Sequence, residues 1–566
     1  MADPKKKPDT TDKPKGLSDP ILANRETVES IVVAVILALM FRAFIAEAFV
    51  IPTGSMAPTL MGRHVDVWCD ECKYHYTASA STERDPTTDK RTGQLVVDSR
   101  CPNCGFRKPL DRTFWSNENS FSGDRIIVSK FAYELGEPRR WDVIVFKNPQ
   151  QAQVNFIKRL IGLPGETILI SGGNIYIRKA GDTEFQIARK PNDKLLAMLQ
   201  IVHDSDYRAV ELQKAGWPAR WQPLEHDELW KSDELGTSYT LSATEDDALI
   251  RYHHFDPSEN DWAAMLDGQA PQIEPDWRGR LISDFYAYNS SRAINDEYGD
   301  NTPDFRDNSP GYGHYWVDDL AVECEAEITE ATGEIVLDLV RAGGHYTCRI
   351  DTKSGKATLS ILDADGKAVG LSDQQLASVT ADTSVKGAGS HRLRLSNVDH
   401  ELRLWVDGWA VTFNQPATYE SERQIMPNVN SPDGDVAPVG IGGNNQALTI
   451  RHLRVLRDKY YIAGSYEDEY GFTHPNEPMI TDVLGHPDES RVYNLLSRRQ
   501  EGQFELAADQ FLPLGDNSPA SSDARYWPEH YVDRRLLVGR AIFIYWPHSW
   551  NMPPFFPNFR KMQPIR

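Results

Sequence analysis

Phe49-Val-Ile-Pro-Thr-Gly-Ser-Met-Ala-Pro-Thr-Leu60 divides the chain, with an apolar run before it and a body of short β-branched runs after it. Within it Ser55 stands beside Gly54 among prolines, a turn-forming setting. A serine hydroxyl is a weak nucleophile until a base removes its proton. Taken alone, Ser55 is a turn residue, and its chemistry depends on partners elsewhere.

Toward the N-terminus, Val28 to Phe49 is apolar, unbroken from Ile31 to Phe41. At about 1.5 Å per residue such a stretch spans a hydrocarbon layer of roughly 30 Å as a helix. Residues 26–50 are therefore expected to form a transmembrane helix, with Arg42 and Glu47 at its outer end. Residues 1–25 hold Lys5, Lys6, Lys7, Lys13 and Lys15 and almost no large apolar side chains, so a disordered cytoplasmic tail is expected. The alternative is a cleaved signal peptide, for which Ala46-Glu47-Ala48 has the small-x-small pattern.

Toward the C-terminus, Cys69-Asp-Glu-Cys72 and Cys101-Pro-Asn-Cys104 form two knuckles within residues 63–115. Four thiolates so spaced can meet one structural Zn²⁺ tetrahedrally, and metal binding can fold a segment too small for its own core. A pair of disulfides is the competing reading, favoured by an exported setting. Next come Ile126-Ile127-Val128, Val143–Phe146, Thr167–Ile170 and Ile175–Ile177, short runs bounded by Gly, Pro and Asn, the texture of a barrel-like β domain. A helix is expected near Lys194–Leu199.

Residues 217–462 alternate apolar and polar side chains in 321–328, 335–340, 345–350, 391–396, 401–406 and 448–455. Period-two alternation means half-buried antiparallel strands, hence a β-sandwich. The stretch from Arg392 to Gly408 resembles a concanavalin or laminin-G type jelly roll, a fold that binds glycans or proteins or serves as a spacer. Cys324 and Cys348 fall in predicted strands, as separate thiols or as a disulfide. The aromatic tail, Phe543–Trp550 and Pro553–Pro557, suits a membrane interface or a strand packed on the body. With 566 residues the chain is composite, and a net charge of −21 argues against a nucleic-acid partner.

Four blocks occur in order: Phe49–Leu60, Gly123-Asp-Arg-Ile-Ile-Val128, Phe156-Ile-Lys-Arg-Leu-Ile-Gly-Leu-Pro-Gly165 and Leu514-Gly-Asp-Asn-Ser-Pro-Ala-Ser-Ser-Asp-Ala-Arg525. Together, behind an N-terminal anchor, they resemble the bacterial type I signal peptidases. The resemblance implies a mainly β, barrel-like catalytic domain built from residues 51–62, 116–216 and 463–566. The zinc-ribbon-like module (63–115) and the sandwich (217–462) would be inserts in it. It implies Ser55 as nucleophile and Lys158 as base, with Ser521 orienting the amine. The Ser55 amide and the Thr53 hydroxyl would hold the oxyanion, and no cofactor takes part in catalysis. Asp523 and Arg525 would brace the last loop, which Gly515, Asp516 and Asn517 position. Phe49, Ile51 and Ile157 are the implied walls of pockets for small side chains, and Ile126, Ile127 and Val128 the implied cradle strand. The implied substrates are signal peptides of exported preproteins, cut by a body on the outer side of the cell membrane. Ser518, Pro519 and Ala520 stand where the family has an arginine and polar residues, and Ala524 where a serine is common.

A lysine serves as base only if burial lowers its pKa from about 10.4 toward neutrality. Arg159 must then point away from it. Two other classes remain: a surface binding protein that uses the jelly roll, and a self-cleaving protease such as the self-cleaving repressors. The intact catalytic positions oppose the first. The apolar N-terminal run and the lack of a DNA-binding segment oppose the second.

Overall fold

The computed structural model describes residues 20–40, 46–113, 116–151, 153–233, 236–274, 276–295, 313–464, 480–548 and 558–566. The expected tail at 1–19, residue Arg42 and most of the aromatic C-terminal stretch lie outside these residues.

The apolar run does not continue as one helix to residue 50. A helix covers Pro20–Met40, with Val28, Ile31, Val32, Val35 and Ile36 exposed, whereas Ala46–Val50 is a strand. The strand pairs antiparallel with Arg125–Ser129, from Ala46 opposite Ser129 to Val50 opposite Arg125, and Glu47 ion-pairs with Lys130 at 2.8 Å. Hydropathy is blind to that partner, which satisfies the backbone of 46–50 from outside. Among the described residues no helix is long and apolar enough to cross a membrane.

The body that carries the Ser55 turn is β, as its texture suggests. One sheet runs in the order Ala46–Val50, Arg125–Ser129, Leu537–Trp546, Val143–Lys147, Asn155–Gly162, Gln510–Leu514 and Val532–Asp533. A second sheet contains Gln186–Ile187, Asn174–Lys179, Glu166–Ser171 and Gly502–Glu505. Ile51, Met56, Leu60, Ile126, Val128, Val143, Val145, Ala541 and Ile544 form the core beneath the Ser55 turn. The expected helix is present at Asn192–Met198.

The inserted region is two antiparallel sheets. One contains Leu320–Ile328, Gly389–Val398, Glu401–Val406 and Leu448–Arg457; the other contains Glu334–Arg341, Gly344–Asp351, Lys356–Leu362 and Val439–Asn444. The six alternating segments read from sequence all lie in these strands, and their inward side chains share one core. Cys324 and Cys348 are both buried there as free thiols.

The boundaries at 63–115 and 217–462 do not hold as module edges. Gln200–Asp204 pairs with Leu448–Arg457 and so belongs to the sandwich, although it precedes residue 217. Trp217, Phe255, Trp262 and Ala287 pack instead around the four clustered cysteines, and Arg292–Asn295 adds a strand to Gln94–Arg100. The ribbon is thus walled by the first part of the insert, which supplies the apolar side chains its own sequence lacks.

Candidate active site

Ser55 occupies a single 3₁₀ turn, Gly54–Met56, entered through an extended Thr53. Gly54 is required sterically, because a Cβ there would lie 2.3 Å from the Tyr288 ring. The strand Asn155–Gly162 passes beside the turn, and Lys158 Nζ donates to Ser55 Oγ at 2.7 Å. Lys158 is 5 % exposed. Burial lowers its pKa from 10.5 to about 8; Asp523 opposes that shift and Arg525 adds to it. Roughly a tenth of the amine is then neutral at pH 7, far more than for a solvated lysine, and its lone pair is available to the serine proton.

Arg159, next along the strand, has its side chain fully buried and points to the other face, as the lysine chemistry requires. Its Nε and Nη2 reach the two carboxylate oxygens of Asp516 at 2.6 Å each, and its Nη1 donates to the Trp141 carbonyl at 2.7 Å. Burial alone would raise the Asp516 carboxyl, but Arg159 and then Lys459 hold it below the usual range. Lys459, which the sequence did not mark, donates to the Asp516 carbonyl at 2.9 Å and is lowered by burial to about 8.

The last loop is held by a buried ion pair. Arg525 Nε and Nη2 each meet Asp523 at 2.8 Å in full burial, and Asp523 accepts the Gly515 amide at 2.8 Å. Ser518, at the first position that departs from the family pattern, accepts Arg525 Nη1 at 2.8 Å and the Ile462 amide at 2.9 Å. It thereby ties the loop to the end of the insert. Asn517 binds the turn directly, its amide to the Ser55 carbonyl at 3.1 Å and its Nδ2 to the Gly54 carbonyl at 3.0 Å. Gly515 permits this approach, because a Cβ there would fall 2.0 Å from Ser521 Oγ and 2.5 Å from the Ser55 carbonyl oxygen.

Two expectations change. Ser521 is buried next to the turn, but its hydroxyl makes no hydrogen bond, so it does not hold the Lys158 amine here. The Arg125–Ser129 strand, with Ile126, Ile127 and Val128, cannot be an open cradle. It is paired on one side with Ala46–Val50 and on the other with Leu537–Trp546, leaving no free ladder for a peptide. Ile51, Ile126 and Val128 are core, while Phe49, Ile127 and Ile157 are half-buried. Thr53 is half-buried beside the serine.

The insert also reaches the site, which no spacing rule foretold. Asn289 and Asn517 exchange two side-chain hydrogen bonds of 2.7 and 2.8 Å, so Tyr288 and Asn289 back the Ser55 turn.

The model of the family described as signal peptidase, peptidase S26, matches residues 24–98, 104–215 and 445–546, together just over half of the chain. The chain belongs to this family. Residues 216–444, most of the insert, lie outside the match, whereas the paired strands Gln200–Asp204 and Leu448–Arg457 lie inside it. The sandwich therefore extends a strand pair of the signal peptidase body. Among curated relatives, signal peptidase I of Leptolyngbya laminosa is 37 % identical over 93 residues, covering 13 % of this chain and 45 % of that protein. Probable signal peptidase I-2 of Synechocystis is 28 % identical over 172 residues, covering 29 % and 51 %. The chain spans about half the length of these relatives. Among solved structures, a carbohydrate-binding module from Bacillus subtilis aligns at 8 % identity and TM-score 0.19, covering 43 % of this chain and 94 % of that one. Sheep galectin-11 aligns at 11 % and 0.18, covering 24 % and 90 %. TM-scores this low carry no argument, and the sandwich rests on its own ladders.

A second cluster sits apart from the serine. The Sγ atoms of Cys69, Cys72, Cys101 and Cys104 all lie within 4.8 Å of one another in full burial, with Cys69–Cys104 at 3.6 Å and Cys72–Cys101 at 3.5 Å. Tetrahedral Zn–S bonds of about 2.3 Å place sulfurs about 3.8 Å apart, whereas a disulfide needs about 2.05 Å. The donor set fits a metal.

Proposed function

We propose that the protein is a membrane-associated serine endopeptidase that removes N-terminal signal peptides from exported preproteins after small-x-small sites. The observation that carries this reading is the 2.7 Å contact between the buried Lys158 amine and the Ser55 hydroxyl, in a member of the signal peptidase family. Neutral Lys158 takes the Ser55 proton as Oγ attacks the scissile carbonyl. The Ser55 amide and the Thr53 hydroxyl hold the oxyanion, and the lysine returns its proton to the leaving amine. The exposed apolar face of Pro20–Met40, behind a lysine-rich segment, supports the membrane association.

With Arg125–Ser129 closed on both sides, the peptide needs other open ladders. Among the described residues Ala46–Val50 is the outermost strand of its sheet, and Asn155–Lys158 is paired only on the side of Val143–Lys147, because Gln510–Leu514 joins from Arg159 onward. Both lead directly into the catalytic residues, and Phe49 and Ile157 lie on them.

The experiment is cleavage of a preprotein carrying Ala-x-Ala before the cut by the full chain. Ser55→Ala is expected to leave no measurable cleavage and unchanged folding by circular dichroism. Retained cleavage rejects the assignment.

For the cysteine cluster, Cys69, Cys72, Cys101 and Cys104 would hold a structural Zn²⁺ that cross-links the two knuckles and takes no part in hydrolysis. Cobalt substitution is expected to give thiolate-to-metal charge-transfer absorption, lost in Cys101→Ser/Cys104→Ser. Wild-type protein without that band rules the centre out.

A further inference from the structure

His64, Asp66 and His548 converge in the interior behind the nucleophile turn, their side-chain ligand atoms within 4.8 Å of one another and none of the three residues more than 3 % exposed. His64 and Asp66 are two apart on the strand His64–Trp68 and so share one face. His548 follows the strand Leu537–Trp546.

The His64 ring has its tautomer set by its surroundings. Nδ1 lies 2.7 Å from the Gly62 carbonyl, which can only accept, so Nδ1 carries the proton and Nε2 a lone pair. That Nε2 is buried and has no partner. A backbone carbonyl holding one imidazole nitrogen while the other faces a cluster is how metal-ligating histidines are oriented. Asp66 faces both ways: Lys561 Nζ occupies Oδ1 at 2.9 Å, whereas Oδ2 lies 3.0 Å from His548 Nε2. His75 Nε2 stands 3.6 Å from Asp66 Oδ1. Asp124, buried and with an unpartnered Oδ1, adds a second carboxylate to the neighbourhood. Phe121 stacks on the His548 ring at 4.4 Å and closes one side. A buried imidazole nitrogen without a partner is costly. One cation of small radius between the two rings and the carboxylate satisfies it.

We propose that His64, Asp66 and His548 bind a divalent first-row transition-metal ion of the Zn²⁺ class, separate from the cysteine cluster. Two imidazoles and one carboxylate suit that class of ion and not Ca²⁺ or Mg²⁺, which take oxygen ligands. The site's place gives it a use. The Arg63 amide donates to the Pro52 carbonyl at 3.3 Å, and the Met61 amide to Asp124 Oδ2 at 2.7 Å. The ion would therefore pin the C-terminal strand to the segment that carries Pro52 and Thr53 into the nucleophile turn, as a structural staple outside the hydrolytic chemistry.

Zinc K-edge absorption of the zinc-loaded full chain tests this without any substitution. Two filled sites give an average shell of about two sulfurs and two nitrogen or oxygen ligands per zinc, against four sulfurs for the cysteine cluster alone. A shell of nitrogen and oxygen without sulfur also supports the site and removes the cysteine centre instead. A pure sulfur shell, or no bound zinc, overturns the proposal. His64→Gln is expected to lose one of two zinc equivalents and to keep the cobalt–thiolate band, and two retained equivalents count against the assignment.

Discussion

Lys158→Met is expected to abolish peptide cleavage and to make the folded protein more stable near neutral pH. Loss of a catalytic base or nucleophile that acts as part of a unit lowers kcat by about 10⁴–10⁶-fold, and methionine offers no lone pair able to take the Ser55 proton. The gain in stability follows from the sign of the lysine's shift. The amine titrates at about 8 when folded and near its ordinary 10.5 when unfolded. Between those values the unfolded chain binds the extra proton, so folding stability rises with pH across that window and is lowest below about 8. The displacement corresponds to roughly 3 kcal/mol, against which the lost hydrogen bond to Ser55 costs about 1. Denaturant unfolding at pH 6.5 should therefore favour the variant by about 2 kcal/mol, and the difference should vanish or reverse by pH 10.5. In the active enzyme, kcat/KM should rise with pH and level off above about 8 as the amine loses its proton. Equal stability at every pH would mean that the amine is solvated and the dyad misassigned.

The proposed Ser55–Lys158 pair could be named from the sequence because its evidence is a matter of residue type and order. The four blocks name Ser55 and Lys158, and the physics of a lysine base demands a buried amine and an arginine turned away, as found. The strand periodicities were legible for the same reason, because alternation is local. What stayed hidden depends on partners far along the chain. Ala46–Val50 extends an apolar run and reads as helix until Arg125–Ser129 lies beside it. Gly515-Asp516-Asn517 reads as a turn, and nothing local says that Asp516 is the buried counter-ion of Arg159 or that Asn517 holds two carbonyls of the turn. Tyr288 and Asn289 lie in a segment without a family block, yet they pack on Gly54 and bond Asn517. Excising 217–462 would therefore remove part of the support of Ser55 along with the sandwich. Lost activity in such a deletion says nothing about whether the sandwich binds a ligand.

Asp516→Ala is expected to destabilise the fold by about 3–5 kcal/mol, the cost of stranding a buried charge whose partner has been removed. Arg159 would keep its Trp141 carbonyl but lose both carboxylate contacts in a site with no access to water. Thr59, whose hydroxyl donates to Asp516, would lose its acceptor as well. Because an intact buried pair contributes little net stability relative to apolar side chains of similar size, Arg159→Met/Asp516→Leu should recover most of the loss. Urea unfolding of the two single variants and the double variant separates these outcomes, and additive losses would show that the pair is not coupled. The substitution also reaches the base. Asp516 is one of two carboxylates that raise the Lys158 pKa against the effect of burial. In folded Asp516→Asn, which removes the charge and keeps the shape, the rising limb of the pH–rate profile should move to lower pH. A limb that stays in place while stability falls would confine Asp516 to a structural role. A limb that moves would show that the arginine's counter-ion also sets the pH at which the neighbouring lysine can act.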